Sequence, residues 1–137
     1  MNFQNEIPIY FRLDFLTFNL QGPADGNEDG ANHLCVDSFV ASGTSGLSSP
    51  VICGLNTGEH IYVEMGSAAT DTASLQFTFG TATSTIRNFE LKATQIPCGS
   101  SWRQPPGCLQ YHTTLTGTIT TFNWQSTQPT QHLANQR

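Results

Sequence analysis

An all-β, antiparallel sandwich held by disulfides is the fold class this 137-residue sequence predicts. Three observations predict it. Apolar residues recur at every second position in several short runs, and no run carries the 3.6-residue stripe of an amphipathic helix. Charged residues are only 11% of the chain, so Ser, Thr, Asn, Gln and Gly fill the polar positions, and Thr suits a pleated surface where Lys and Glu suit a helix. Four cysteines, Cys35, Cys53, Cys98 and Cys108, are spaced as in small disulfide-built domains of oxidising compartments.

The elements follow in chain order. Tyr10 to Leu20 reads as a strand with a phase shift. Phe11, Leu13 and Phe15 share one face, but beyond Phe15 the apolar residues Leu16, Phe18 and Leu20 take the other parity. One extra residue near Phe15–Leu16 restores a single buried face, as a β-bulge does; a break into two strands fits equally. Residues 22–32 are a loop of Gly, Pro, Asp and Asn. Val36 to Ala41 and Val51 to Cys53 read as short strands around a Gly/Ser-rich connection. His60 to Met65 alternates, with Ile61, Val63 and Met65 together. Ser74 to Phe79 places Leu75, Phe77 and Phe79 on one face. Arg87 to Ile96 turns Phe89, Leu91 and Ala93 inward and Asn88, Glu90 and Lys92 outward. The Pro-containing stretch 97–106 is the best boundary, dividing a sandwich at 1–97 from a second segment at 98–137. In that segment Leu109 to Tyr111 and Gly117 to Trp124 look extended, and 125–137 reads as a loop or loose end.

Four cysteines allow three pairings. The simplest is sequential, Cys35 with Cys53 and Cys98 with Cys108, each bridge adding about 2–4 kcal/mol. Four buried thiols in a reducing compartment are the alternative. The net charge of −5 and five scattered basic residues leave no basic stripe, which disfavours nucleic acid and anionic membrane surfaces. No apolar run approaches the ~20 residues of a membrane span. Residues 1–8 lack the basic head and apolar middle of a signal peptide, so a secreted form of this chain is expected to be a mature form or a piece.

These runs resemble a known family. L-D-F-L-T-F-N-L, then C-V-D-S-F-V, then I-C-G is similar to the second half of a CUB domain, where a Phe-rich strand leads to a cysteine, an Asp-containing strand and a second cysteine followed by Gly. S-L-Q-F-T-F and R-N-F-E-L-K-A-T-Q-I resemble that family's last two strands. P-P-G-C-L-Q-Y, G-T-I-T-T-F-N-W and H-L-A-N-Q are similar to CUB-containing extracellular proteins of arthropods, with G-T-I-T-T-F-N-W as the opening strand of a following unit. The resemblance covers residues 10–135. It implies a CUB-like jelly roll, an extracellular location and a role in binding. A CUB domain carries further strands and a cysteine pair before its Phe-rich strand, and this chain does not. Either the chain is a fragment or the opening strands come from elsewhere, with segment 109–135 as the obvious donor, folding back in permuted order or entering a neighbour, which repeated head-to-tail makes a filament.

Candidate sites follow. Of the carboxylates with which many CUB domains hold calcium, Asp37 alone matches; Gln21 stands near the place of the Glu, so the resemblance implies that this site is lost. Separately, Asp25, Asn27 and Asp29 before Gly30 match the first half of a calcium loop whose closing Glu is replaced by Val36, with Asp37 one residue later. A polar turn explains the same residues. No other cofactor is expected. His33, His60, His112 and His132 show no metal-ligand spacing, and no nucleophile elbow or converging carboxylate pair is legible, so an enzyme is not expected. Tyr62, Trp102, Tyr111 and Trp124 fall on polar-facing or loop positions, where such rings anchor protein partners or stack on sugars. The expected function is an extracellular, non-catalytic module for protein–protein interaction, with homo-oligomers through edge strands among its partners. A structural subunit of a strand-exchanged filament or matrix and a carbohydrate-binding sandwich remain as alternatives.

Overall fold

The structure is a computed structural model that describes residues 9–23, 35–44, 46–66, 70–81, 86–97, 100–101 and 104–124. Among them are five strands: β1 (Ile9–Asn19), β2 (Ser38–Gly43), β3 (His60–Gly66), β4 (Ala73–Thr78) and β5 (Asn88–Ile96). They form two antiparallel sheets, one of order β3-β1-β5 and one of β2-β4.

The phase shift in β1 is a bulge. Pairing with β5 runs Phe15↔Leu91 and then Thr17↔Glu90, so Leu16 has no partner and stands 50% exposed. The extra residue lets Leu13 and Phe15 before it, and Phe18 and Leu20 after it, all enter the core. There Phe15 stacks on Phe18 at 4.6 Å, and both meet Phe39 of β2 edge-on at 5.8 and 5.5 Å. Phe39 reaches Phe77 of β4 at 4.7 Å. These rings join the two layers.

Several expectations are corrected. Val36 and Asp37 precede β2 and do not belong to it. The expected strand at Val51–Cys53 is reduced to one bridge, in which Ile52 and Phe39 exchange backbone hydrogen bonds of 2.8 and 2.9 Å. Leu109–Tyr111 and Gly117–Trp124 form no strand. Segment 104–124 instead lies against β3: the Tyr62 N–H donates to the Leu109 carbonyl at 2.8 Å, and Leu109 and Phe122 pack on the core. The expected bridge Cys35–Cys53 is formed, with Cα atoms 5.9 Å apart. Cys108 is a free thiol in the structure, and Cys98 lies outside the described residues.

Candidate binding surface

The apolar faces of β4 and β5 are only partly covered. Phe77 stacks on Phe89 at 4.0 Å, yet Phe89 is 44% exposed and Phe79 50% exposed. Leu75 is exposed and Leu91 half-buried. Alternation placed these side chains inward, and inward they point. They stay accessible because the β2-β4 layer has two strands against three. The mismatch leaves a cleft of about 470 Å³ between the layers, lined by Phe11, Leu13, Val63, Met65, Leu75 and Ala93. The adjoining outer side of β5 makes no backbone hydrogen bond to any described residue, which is the state of a sheet edge ready for another strand.

Asp37 closes one end of this side. Its buried carboxylate takes Arg87 Nε at 2.7 Å and Nη2 at 2.9 Å, and accepts the N–H groups of Gln21 at 2.8 Å and Gly80 at 2.9 Å. Burial works to raise its pKa. The Arg87 hydrogen bonds, the two N–H groups and the Arg87 charge outweigh that and hold the group below the usual carboxylate range. Arg87 also donates to the Gly80 carbonyl at 2.7 Å, so the ends of β4 and β5 are tied together. Asp37 is thus engaged by a guanidinium. Asp25, Asn27 and Asp29 lie outside the described residues, and no group of three or more His, Cys, Asp or Glu is gathered among the described ones.

The opposite face of the β3-β1-β5 sheet carries a second cluster, Tyr10, Tyr62 and Ile96, with Tyr111 packed against it. Tyr62, expected at an exposed position, is buried there because segment 104–112 covers it; Arg12 lies 5.8 Å over its ring. His60 beside it is buried, 4.9 Å from the His112 ring, with Nε2 3.1 Å from the Tyr111 carbonyl and 3.3 Å from its N–H. Burial first, then the charges of Arg12 and His112, push His60 below the ordinary imidazole value. Glu59 anchors the same segment, accepting Gln110 Nε2 at 2.9 Å and the Thr120 hydroxyl at 2.5 Å. Trp124 is 49% exposed, Tyr111 half-buried, and Trp102 lies outside the described residues. Of the expected aromatics among the described residues, Tyr62 and Tyr111 pack together and Trp124 stands exposed. Sequence reasoning gave no role to Arg87, Asn56 or Asn123, each of which has a partner 50 or more positions away.

The fold and this surface define a disulfide-held, two-sheet β protein with one incompletely covered side. A model of the animal CUB domain family matches residues 105–137, the segment that packs along β3 in its described part. CUB domains are generally extracellular, non-catalytic protein-interaction modules. No curated protein and no solved structure matches the chain.

Proposed function

We propose that this chain is an extracellular, non-catalytic module that binds protein through the open side of its sandwich. The observation that carries the reading is the run of apolar side chains on β4 and β5, from Leu75 to Leu91, left accessible beside a cleft of about 470 Å³. Accessible, contiguous apolar side chains bordered by unpaired strand edges are what a partner covers. The CUB match at 105–137 and the Cys35–Cys53 bridge support the extracellular setting. In this reading segment 104–124 completes the sandwich of its own chain in a CUB-like, permuted order, supported by its hydrogen bonds to Glu59, His60 and Tyr62.

Immobilised protein challenged with extracellular fluid tests this against a Leu75→Ser/Phe79→Ser variant of matching circular dichroism. At least one protein retained by the native surface is expected to fall about tenfold or more on the variant, the loss that ~1.4 kcal/mol of binding produces. Identical retention by both surfaces rejects the reading.

A further inference from the structure

We propose that β5 pairs with β5 of a second copy of this chain, antiparallel about a twofold axis at Leu91, fusing two three-stranded sheets into one. The proposal names a partner for the binding reading above and rests on it.

The edges of the first sheet differ. The outer edge of β3 is taken up by segment 104–124 through the Tyr62–Leu109 hydrogen bond. The outer edge of β5 makes no backbone hydrogen bond to a described residue, and all its side chains except Leu91 and Ile96 are exposed. At 3.3–3.4 Å per residue the strand offers an edge of about 30 Å.

The side chains of β5 then select one register. A twofold antiparallel pair places residues i and j opposite each other with i + j constant, and opposite residues point to the same face. Keeping Phe89, Leu91 and Ala93 on the core side in both copies requires an even sum. Centring the axis on residue 90 sets Glu90 against Glu90, and centring it on residue 92 sets Lys92 against Lys92; like charges directly opposite destabilise a pair. Centring it on Leu91 sets each Glu90 against Lys92 of the second copy, twice. On the core side the same register sets Phe89 against Ala93 and Leu91 against itself, so a large ring faces a small methyl on both sides of the axis. Charge and volume agree on one alignment. The other open edge, β4, presents Ser74, Gln76 and Thr78 on its outer face and has no charges with which to set a register.

Glu90 and Lys92 are exposed, and within the chain they stand opposite Thr17 and Asp14, so circular dichroism and the thermal midpoint check that each reversal keeps the fold. Sedimentation across a dilution series at low salt compares native protein, Glu90→Lys, Lys92→Glu and the double swap Glu90→Lys/Lys92→Glu. Native protein is expected to dimerise. Each single reversal, which opposes like charges twice, weakens the dissociation constant about tenfold or more, and the double swap restores it to within about threefold. A native protein that is monomeric at every concentration, single reversals without effect, or a double swap as weak as the singles overturns the proposal. A monomer that still loses a captured partner through Leu75→Ser/Phe79→Ser overturns the dimer and leaves the binding reading standing. A dimer that follows the charge series while no other protein is captured supports the dimer and confines the binding reading to self-association.

Discussion

Asp37 and Arg87, 50 positions apart, meet in a two-pronged ion pair of 2.7 and 2.9 Å just ahead of β2 and β5, the strands they introduce. The pair links one strand of each sheet at the end where the layers close. Arg87 also holds the Gly80 carbonyl, so one end of the β4–β5 side is fastened, while along that side Leu75, Phe79 and Phe89 stay exposed. That side is therefore fastened at one end and open along its length, and the open stretch is where a partner gains most.

Asp37→Ala strands the Arg87 charge and removes the acceptor of the Gln21 and Gly80 N–H groups. A loss of about 1–3 kcal/mol in urea unfolding is expected from the two N–H groups left without their acceptor, the Arg87 side chain being 27% exposed. Acid acts on the same group. Its folded pKa lies below the ordinary 3.8, so its contribution is complete above 3.8 and disappears as pH falls through the lower folded value. The urea midpoint of native protein is expected to drop on acidification below that range, and the drop to be smaller in Asp37→Ala.

His60 gives a second, separate pH window. Its folded pKa is depressed from 6.5 by burial and by the charges of Arg12 and His112, against the pull of the Tyr111 backbone and Asp14. The unfolded chain therefore binds a proton at a higher pH than the folded one. Stability is complete above 6.5 and declines as pH falls from there toward the folded value. Urea midpoints at about pH 5 and about pH 7.5 measure it, and His60→Gln is expected to flatten the difference. Amide exchange at residues 109–111, which rest on His60 and Tyr62, should quicken at the lower pH in native protein.

Leu16 sets the phase of β1. Because it sits in the bulge and half in solvent, Leu16→Ser should change stability by no more than about 0.5 kcal/mol. Deleting Leu16 is different: it turns Phe18 and Leu20 to the solvent face, and no cooperative unfolding transition is expected. Phe18→Ala, for comparison, should cost about 3–5 kcal/mol. Thermal melts of the three variants distinguish a register device from a packing residue.

That bulge was legible because parity is written in covalent order: Phe15 and Phe18 cannot share a face without an extra residue. The Cys35–Cys53 bridge was legible for a like reason, being the simplest pairing and local. What escaped was whatever depends on the other layer. The inward face of β5 could be read from alternation, but the exposure of Phe89 depends on how many strands lie opposite. The burial of Tyr62 depends on segment 104–112 folding back over it. Asp37 looked like a metal ligand because its guanidinium partner lies far along the chain, and no local pattern announces such a pair.

Replacing both Cys35 and Cys53 by Ala opens a loop with a sequence separation of 18. The loop-closure relation gives a loss of about 3 kcal/mol. Reduction of native protein should produce a similar downward shift in the urea midpoint. The Ala variant should be insensitive to reductant unless a second bridge through Cys98 and Cys108 exists, so the same measurement reports that pair.

Gly54 and Asn123 decide how the C-terminal segment docks. Gly54 has φ +80°, and a Cβ there would run into the Asn123 side chain. That side chain accepts the Leu55 N–H at 3.1 Å, while the Asn123 N–H donates to Asn56 Oδ1 at 2.6 Å. Asn123 itself has φ 62°, a conformation Asn tolerates and Gly prefers. Gly54→Ala should therefore cost about 1–2 kcal/mol in backbone strain, plus the displacement of Asn123. Asn123→Gly relaxes its own backbone but leaves the half-buried Leu55 N–H without its acceptor, a loss of about 1 kcal/mol. If the two positions meet as described, the double variant loses less than the sum, because the Cβ at 54 enters space the shortened side chain has vacated. Strictly additive losses in urea unfolding would mean that residues 120–124 do not dock against Gly54 in solution.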